Sequence, residues 1–328
     1  MQSKWKITDT PQDSSLIPTI AVTLWLGWMG ILTFSVLYAA FLATTFQRNV
    51  IISLLSVSAI LPPSFPGALG VKIGNWIMHE ARKYFGLKTI IENESAFHDI
   101  NKSGKTAIFA IEPHDVLPYS VFAFNPCLGL IPGRLGESFN ILMTGVVFKL
   151  PYMKHVYSWV GGIPVDKKTF RSQLAKNKGT GFVPGGVQEV ILMDPSKPDD
   201  LVLYLKNRKG FVKLALELGN PIVPVFTFNL EQSYRSFVPR GKFVGKVARK
   251  IGFLPVFFFG RFGIPYGIPK PVKLTVVLGE PLHIPCENDN VSKESVEKYH
   301  ALYLEKVVEL FERHKHAQGY GHRNLVIC

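Results

Sequence analysis

The stretch Thr106-Ala-Ile-Phe-Ala-Ile-Glu112-Pro113-His114-Asp115-Val-Leu-Pro118 guides the interpretation of the rest of the chain. Its first seven residues are mostly apolar and typical of a buried strand, and Pro113 prevents that strand from continuing. We therefore expect Glu112 and His114 to emerge together at the strand end, with Asp115 capping the helix that follows. An imidazole and two carboxylates at such a turn favour general acid–base chemistry.

The composition limits the class of protein. The chain has 328 residues, a formal net charge of +13 and a hydrophobic share of 47%, which indicates a large core and anionic partners. Nucleic acid is not the expected partner, because the basic residues are scattered through Phe-rich segments without a zinc-finger, RNP-type or basic-zipper pattern. Three distant cysteines, Cys127, Cys286 and Cys328, predict no disulfide framework and place the catalytic part on a reducing, cytosolic side.

The N-terminal fifth of the chain is unusually apolar. After a polar tail at residues 1–15, Arg48 is the single charged residue before Lys72. Such a run is long enough to enter a bilayer, whose core takes about 20 helical residues. We predict a membrane-embedded helical hairpin at residues 16–71, which leaves basic residues at both ends on one side. One span followed by an interfacial segment is the alternative, and the run is too long for a cleaved signal peptide.

The remainder, residues 72–328, is predicted to be one α/β domain. It begins with an amphipathic helix at Lys72–Gly86, which would lie on the domain or in the membrane interface. Strands that alternate with helical stretches then predict a largely parallel, helix-covered sheet. The predicted strands are Lys88–Ile91, Thr106–Glu112, Phe139–Met143, Ile163–Val165, Thr180–Val183, Ile222–Phe228 and Lys273–Leu278, and the predicted helices are Val116–Phe124, Val146–Trp159, Lys168–Asn177, Phe211–Leu218 and Ser292–His314.

One segment between the last two strands is less regular. Tyr234–Pro271 has an apolar centre, Leu254-Pro-Val-Phe-Phe-Phe-Gly260, that would be buried or touch lipid. Its basic flank consists of Lys242, Lys246, Arg249 and Lys250.

Two further motifs carry candidate chemistry. Pro184-Gly185-Gly186-Val-Gln-Glu189 follows a predicted strand, and its glycines let the backbone approach a ligand and expose N–H groups. Arg208-Lys209-Gly-Phe-Val-Lys213 opens a helix, where cations are opposed by the helix dipole and so indicate a bound anion. Each motif alone has an ordinary alternative: a turn with a surface glutamate, and a solvated basic edge. No metal-binding set and no Gly-x-Ser-x-Gly nucleophile motif is predicted.

Taken together and in order, these motifs resemble the type 2 diacylglycerol acyltransferase family, which includes mono- and diacylglycerol acyltransferases and some wax synthases. The resemblance runs from the membrane segment to Leu310-Phe-Glu-Arg-His-Lys315. Animal members carry His-Pro-His-Gly at the turn and plant-like members Glu-Pro-His-Ser. This chain follows the plant-like form at Glu112, Pro113 and His114, and departs from it at Asp115.

The resemblance implies an endoplasmic reticulum membrane protein with a cytosol-facing, glycerolipid-acyltransferase-like domain, found also on lipid droplets. It would transfer a fatty acyl group from acyl-CoA, as co-substrate and without a cofactor, to the hydroxyl of diacylglycerol, giving triacylglycerol. His114 would be the general base and Glu189 its partner, while Glu112, Pro113 and Asp115 would complete the motif. The chemistry would suit Gly185 and Gly186 as oxyanion donors, and Arg208, Lys209 and Lys213 as ligands of the acyl-CoA phosphates.

Other readings remain open. The acceptor could be monoacylglycerol or a long-chain alcohol, which would give a wax ester, and the chain could form a homo-oligomer. Outside enzymes, the fold could serve as a catalytically silent lipid-binding scaffold. His114 and Glu189 argue against that, since a scaffold needs neither a base nor its carboxylate.

Overall fold

The computed structural model describes residues 5–193, 196–239, 256–288 and 290–328. Its described strands, in chain order, are β1 (Lys6–Asp9), β2 (Lys88–Ile91), β3 (Ile108–Glu112), β4 (Phe139–Met143), β5 (Gly162–Pro164), β6 (Gly179–Phe182), β7 (Asp200–Leu203), β8 (Ile222–Phe228), β9 (Arg235–Phe237), β10 (Phe257–Phe259), β11 (Thr275–Leu278) and β12 (Asn324–Ile327). Eight of them form one sheet in the order β1-β2-β11-β8-β3-β6-β4-β5.

Most of this sheet is parallel. Strands β8, β3, β6, β4 and β5 all run in one direction, whereas β11 is antiparallel to β8 and β1 is antiparallel to β2. Two small sheets pair β9 with β10 and β7 with β12. The predicted largely parallel sheet is therefore confirmed.

Helices cover both faces of the sheet. They are α1 (Leu16–Leu26), α2 (Trp28–Phe41), α3 (Thr45–Ile60), α4 (Ala68–Tyr84), α5 (Glu94–Lys102), α6 (Arg134–Glu137), α7 (Met153–Trp159), α8 (Lys167–Ala175), α9 (Gln188–Leu192), α10 (Gly210–Leu218) and α11 (Lys293–Lys315). Short 3-10 turns lie at residues Tyr119–Phe124, Pro126–Leu128 and Gly145–Phe148, and between β8 and β11.

Strand β3 lies at the centre of the core and shows why the fold forms. Its side chains alternate, so that Phe109 and Ile111 pack on one face of the sheet while Ile108 and Ala110 pack on the other. The first face is covered by α1, α4 and α5, and the second by α8, α10 and α11. Burial on both faces explains the nearly continuous apolar sequence of this strand.

The N-terminal helices divide into a packed part and an exposed part. Val22, Trp25 and Leu26 of α1 lie in the same core as the sheet, so the packing crosses the predicted boundary at residue 72. Helix α3 has no buried residue, and Phe41, Leu42 and Phe46 at its junction with α2 are each more than three-quarters exposed. Among the described residues, no single helix is long and apolar enough to cross a bilayer, although α1 and α2, bent by 73°, pass that test as a pair.

Several predicted elements differ in detail. The predicted helix Val116–Phe124 is a 3-10 turn at Tyr119–Phe124, and Asp115 does not cap it, because three residues separate them. The predicted helix Val146–Trp159 is divided into a 3-10 turn and α7. The amphipathic helix α4 begins at Ala68 rather than Lys72 and packs along α1 and α7, which is the predicted alternative of a helix on the domain. The basic flank Lys242, Lys246, Arg249 and Lys250 lies outside the described residues.

Candidate active site

The candidate site lies where three parallel strands end at the same edge of the sheet. In the strand register, Ala110 of β3 is opposite Phe182 of β6, and Glu112 is opposite Phe226 of β8. The chain segments that follow β3 and β6 therefore begin side by side. This register brings the Glu112–Asp115 turn next to the Pro184–Gly186 turn.

Glu189, on the short helix α9, connects the two turns. It is completely buried, its Oε2 accepts a 2.6 Å hydrogen bond from the backbone N–H of His114, and its Oε1 accepts a 3.2 Å bond from the N–H of Tyr204. The sequence resemblance implies Glu189 as the partner of His114, a role in which a carboxylate accepts a hydrogen bond from an imidazole nitrogen. The structure corrects that contact, because the carboxylate holds the His114 backbone and not its ring.

The imidazole of His114 is oriented by a backbone carbonyl instead. Its Nδ1 lies 2.7 Å from the carbonyl oxygen of Asp115, and Asp115 has a left-handed backbone conformation with φ 49°. Since a carbonyl can only accept, Nδ1 must carry the hydrogen. The proton-accepting lone pair is therefore on Nε2.

The protonation state of His114 follows from its surroundings. Burial lowers the pKa of His114 to about 4, and the hydrogen bond to the Asp115 carbonyl opposes this shift without reversing it. The ring is therefore neutral at pH 7, while the residue keeps partial solvent exposure. A neutral and accessible imidazole is in the state needed to accept a proton.

Two carboxyl groups share the buried space beneath His114. Burial, and then the neighbouring charge of Glu189, raise the pKa of Glu112 well above its ordinary value. Burial also raises the pKa of Glu189 to about 7, although the N–H groups of His114 and Tyr204 favour its anionic form. We conclude that Glu112 is the neutral member at pH 7, since two adjacent buried carboxylates do not both ionise.

Pro113 and Asp115 complete the motif. Pro113 is buried and follows a cis peptide bond at Glu112. Asp115 is 3% exposed, and its Oδ2 has no hydrogen-bond partner among the described residues. Burial raises the pKa of Asp115 to about 7, with a smaller contribution from the charge of Glu231.

The glycine turn packs directly against Glu189. A Cβ atom at Gly185 would lie 1.6 Å from Oε1 of Glu189, so only glycine leaves room for this carboxylate. Gly186 has φ +63°, which glycine adopts without strain. The carbonyl oxygen of Gly185 accepts a 3.3 Å hydrogen bond from Nη2 of Arg208. The oxyanion-donor role of this turn stays a prediction.

The three predicted phosphate-binding cations occupy different positions. Arg208 reaches the glycine turn and lies over the ring of Tyr204 at 5.0 Å. Lys209 instead forms a 2.6 Å ion pair with Glu297 on α11, and Lys213 is exposed on α10. The basic residue at the start of α10 is thus balanced by a protein carboxylate, which the helix-dipole argument did not anticipate.

Sequence reasoning missed several residues near the site. Tyr204 donates its N–H to Glu189, but it follows β7, a strand that was not predicted. Tyr119 and Tyr234 bring buried hydroxyl groups close to Asp115. Burial raises the pKa of both tyrosines, and the charge of Asp115 adds a smaller increase. No local pattern distinguishes these tyrosines from core aromatics.

A neutral histidine with a fixed tautomer, supported by buried carboxyl groups at the end of parallel strands, has the chemistry that general acid–base catalysis requires. Comparison with protein families specifies the class. The model described as "Diacylglycerol acyltransferase" matches residues 70–327. The chain therefore belongs to the diacylglycerol acyltransferase family and is an acyltransferase.

Individual relatives agree with this assignment. The chain is 33% identical over 250 residues to "Diacylglycerol O-acyltransferase 2" of Dictyostelium discoideum, covering 72% of each chain. It is 37% identical over 186 residues to the Mus musculus protein of the same name, covering 51% of this chain and 45% of the relative. It is also 29% identical over 271 residues to "Acyl-CoA wax alcohol acyltransferase 1" of Homo sapiens, covering 78% and 79% of the two chains.

Proposed function

We propose that this chain transfers a fatty acyl group from acyl-CoA to the free hydroxyl of diacylglycerol, giving triacylglycerol, with His114 as the general base. The observation that carries this proposal is the orientation of the imidazole, whose Nδ1 is held 2.7 Å from the Asp115 carbonyl and whose Nε2 is left to accept a proton. Family membership and the names of the relatives support the reaction and its substrates.

The proposed reaction is direct transfer in a ternary complex. The acceptor hydroxyl gives its proton to Nε2 of His114 as its oxygen attacks the thioester carbonyl carbon. The tetrahedral intermediate then expels the coenzyme A thiolate, which takes the proton back from the imidazolium. In this proposal Glu189 acts by fixing the backbone of His114, and the N–H groups of Gly185 and Gly186 donate to the oxyanion.

His114→Ala should abolish acyl transfer by membranes containing the protein, while the amount of protein in the membrane fraction stays unchanged. Unchanged transfer by this variant would overturn the proposal. The direct route has its own test: wild-type protein given labelled acyl-CoA without an acceptor should form no acylated enzyme. A stoichiometric burst of covalent label would replace direct transfer by a two-step reaction.

We place the acyl-CoA phosphates near Arg208 and Lys213, with Lys209 joining them when its pair with Glu297 opens. This arrangement keeps the negatively charged coenzyme at the polar edge of the domain and the acyl chain toward the apolar helices. Arg208→Met should therefore raise the KM for acyl-CoA by about tenfold, as expected for loss of a charge-assisted contact.

The membrane part of the proposal concerns α2 and α3. At 1.5 Å per residue, their 14 and 16 residues span about 21 and 24 Å, less than the roughly 30 Å hydrocarbon core. Arg48 donates to the carbonyl oxygens of Ala39 and Ala43, so part of its guanidinium group is hydrogen-bonded at the junction of the two helices. We propose that α2 and α3 form a re-entrant hairpin that enters and leaves one face of the membrane.

A second apolar surface, in the β9–β10 region, is a further candidate for contact with the membrane. Phe237, Phe257 and Phe262 project from the β9–β10 region and are 63%, 47% and 79% exposed. This region is fixed to the N-terminal helices, since Nη1 of Arg261 donates to the Thr19 hydroxyl at 3.0 Å. We propose that these phenylalanines enter the headgroup region, where aromatic rings are favoured.

Flotation with lipid vesicles tests this arrangement. Phe262→Ser and Phe237→Ser together should lower the floated fraction in high salt, while Glu280→Gln, at an exposed polar side chain that is hydrogen-bonded to Asn93, should not. Equal flotation of both variants would remove the aromatic surface from the membrane. On the proposed assignment the protein resides in the endoplasmic reticulum membrane or on lipid droplets.

The second candidate acceptor is a long-chain alcohol, which the human wax alcohol relative favours. A panel of diacylglycerol, monoacylglycerol and long-chain alcohol, each supplied with labelled acyl-CoA, separates the candidates by product.

A further inference from the structure

Beside His114 lies a group of buried polar atoms that have no hydrogen-bond partner among the described residues. It comprises Oδ2 of Asp115, Oγ of Ser120, the indole Nε1 of Trp25 and the hydroxyls of Tyr119 and Tyr234. None of these five residues is more than 5% exposed. We refer to them as the hydroxyl cluster.

The cluster is continuous with the candidate active site. Asp115 is bonded to His114 in the chain, and Tyr119 opens the 3-10 turn that follows. The ring of Tyr119 lies 6.4 Å from Trp25 of α1 and stacks on Phe85 at 4.6 Å. Asp115 and Tyr119 are both within electrostatic reach of Tyr234 and raise its pKa, after the larger effect of burial.

Buried polar atoms without a partner also occur elsewhere in the described residues, as at Thr106 and Thr227, and the cluster is distinguished from them by its position beside His114. Tyr84 lies in the same neighbourhood, and its hydroxyl donates a 2.7 Å hydrogen bond to the carbonyl of Pro269. A buried polar group without a partner destabilises a protein by about 1–3 kcal/mol, and such groups therefore often mark a binding site. Several of them together, next to a catalytic base, indicate a ligand with several oxygen atoms.

The walls of the cluster describe the rest of that ligand. Around the polar atoms lie Phe85, Phe122 and Phe258 together with the indole of Trp25, all buried. A ligand that fits must therefore carry hydrogen-bond acceptors in an otherwise apolar body. The donors of Trp25, Tyr119 and Tyr234 match ester carbonyl oxygens, whereas a simple long-chain alcohol has only its reacting hydroxyl.

We propose that the hydroxyl cluster binds the ester groups of the acceptor, and so selects a partial glyceride over a long-chain alcohol. This inference rests on the proposed function. Tyr119 and Tyr234 are specificity-determining residues in this assignment: they hold the acceptor so that its free hydroxyl faces Nε2 of His114. Asp115 offers an acceptor for a second free hydroxyl, as present in monoacylglycerol.

The test uses Tyr119→Phe and Tyr234→Phe in the full-length, membrane-bound protein. Each change removes one oxygen and keeps the ring, so packing is retained. Thr106→Val is the matched control, because Thr106 also has a buried, unpartnered hydroxyl but lies before β3, away from His114. kcat and KM are measured with diacylglycerol, monoacylglycerol and a long-chain alcohol at saturating acyl-CoA.

We expect each tyrosine variant to lower kcat/KM for the glycerides by about 5–30-fold, mainly through KM, and to leave kcat/KM for the alcohol unchanged. Thr106→Val should change neither. Equal losses for all acceptors would overturn the inference, and so would no loss with any acceptor. In either case, activity of the wild-type protein would still uphold the proposed function. A wild-type protein that acylates none of the three acceptors would overturn the proposed function and the inference with it.

Discussion

Gly185→Ala is the most direct test of how the active site is held together. The new Cβ atom would lie 1.6 Å from Oε1 and 2.4 Å from Cδ of Glu189, whereas ordinary contacts begin near 3.4 Å. The carboxylate must therefore move by about 2 Å. Such a movement breaks its 2.6 Å bond to the His114 N–H and its 3.2 Å bond to the Tyr204 N–H.

The magnitude follows from those two bonds. Hydrogen bonds to charged groups contribute about 1.5–3 kcal/mol each, and partial relaxation returns some of this, so we expect the unfolding free energy to fall by about 2–4 kcal/mol. Displacing a catalytic group by about 1 Å lowers the rate by roughly 100-fold. Because Glu189 fixes the backbone of His114, kcat should fall by about that factor with little change in the KM for acyl-CoA.

The assay is acyl transfer from labelled acyl-CoA to diacylglycerol at equal amounts of membrane protein, together with thermal unfolding in detergent. Gly145→Ala is the control, since nothing lies within 4 Å of a Cβ atom there. Combining Gly185→Ala with Glu189→Asp, which withdraws the carboxylate by about one methylene, should restore part of kcat. Wild-type kcat in Gly185→Ala would refute the role of Glu189 as the support of His114.

The remaining predictions concern protonation and charge. Asp115→Asn should raise the unfolding free energy at pH 8 by up to about 4 kcal/mol and change it little at pH 4. The pKa of Asp115 in the folded protein, about 7, exceeds the ordinary 3.8, so the stability of the wild-type protein falls as the pH rises between these two values. The asparagine amide does not ionise and therefore removes that loss. Melting curves at the two pH values check this, and a pH-independent effect would contradict it. Glu297→Gln, by releasing Lys209, should lower the KM for acyl-CoA by about twofold to fivefold, whereas an unchanged KM would show that Lys209 does not meet the coenzyme. Glu112→Gln should retain most activity, because a neutral amide replaces a carboxyl held neutral by its raised pKa, while Glu189→Gln should lower kcat about 100-fold by turning an NH2 group toward a backbone N–H. Steady-state kinetics of the Glu112→Gln and Glu189→Gln variants test this difference, and equal losses of kcat would mean that both carboxyl groups play the same part.

The central sheet could be predicted from the sequence because its strands are buried on both faces. Runs such as Ile222–Phe228 contain enough consecutive apolar, β-branched residues to identify a strand without its neighbours. Strand β1 could not be found in this way, since Lys6–Asp9 is exposed along its whole length and is a strand only because it pairs with β2. The chain after Pro113 also resisted prediction, because the left-handed conformation of Asp115 replaces the expected helix start.

The site shows the same division. That Glu112–Asp115 and Pro184–Glu189 come together follows from parallel strands, whose carboxyl ends share one edge of a sheet. Which atom of His114 the carboxylate meets depends on backbone geometry at a single residue, and no sequence pattern carries that. The pairing of Lys209 with Glu297 joins residues 88 positions apart, so it arises from the packing of α11 on α10 and not from local charge order.

The corrected contact of Glu189 changes how the imidazolium must be stabilised. In a site where a carboxylate accepts from Nδ1, that carboxylate balances the positive charge as it forms. Here Nδ1 meets a neutral carbonyl, and burial keeps the pKa of His114 near 4, so an isolated imidazolium is unfavourable. In the proposed reaction, the charge that offsets it is the oxyanion that forms on the former carbonyl oxygen of the thioester. In the proposed reaction, proton transfer and carbon–oxygen bond formation would thus be coupled, and His114 would become an effective base only when both substrates are bound.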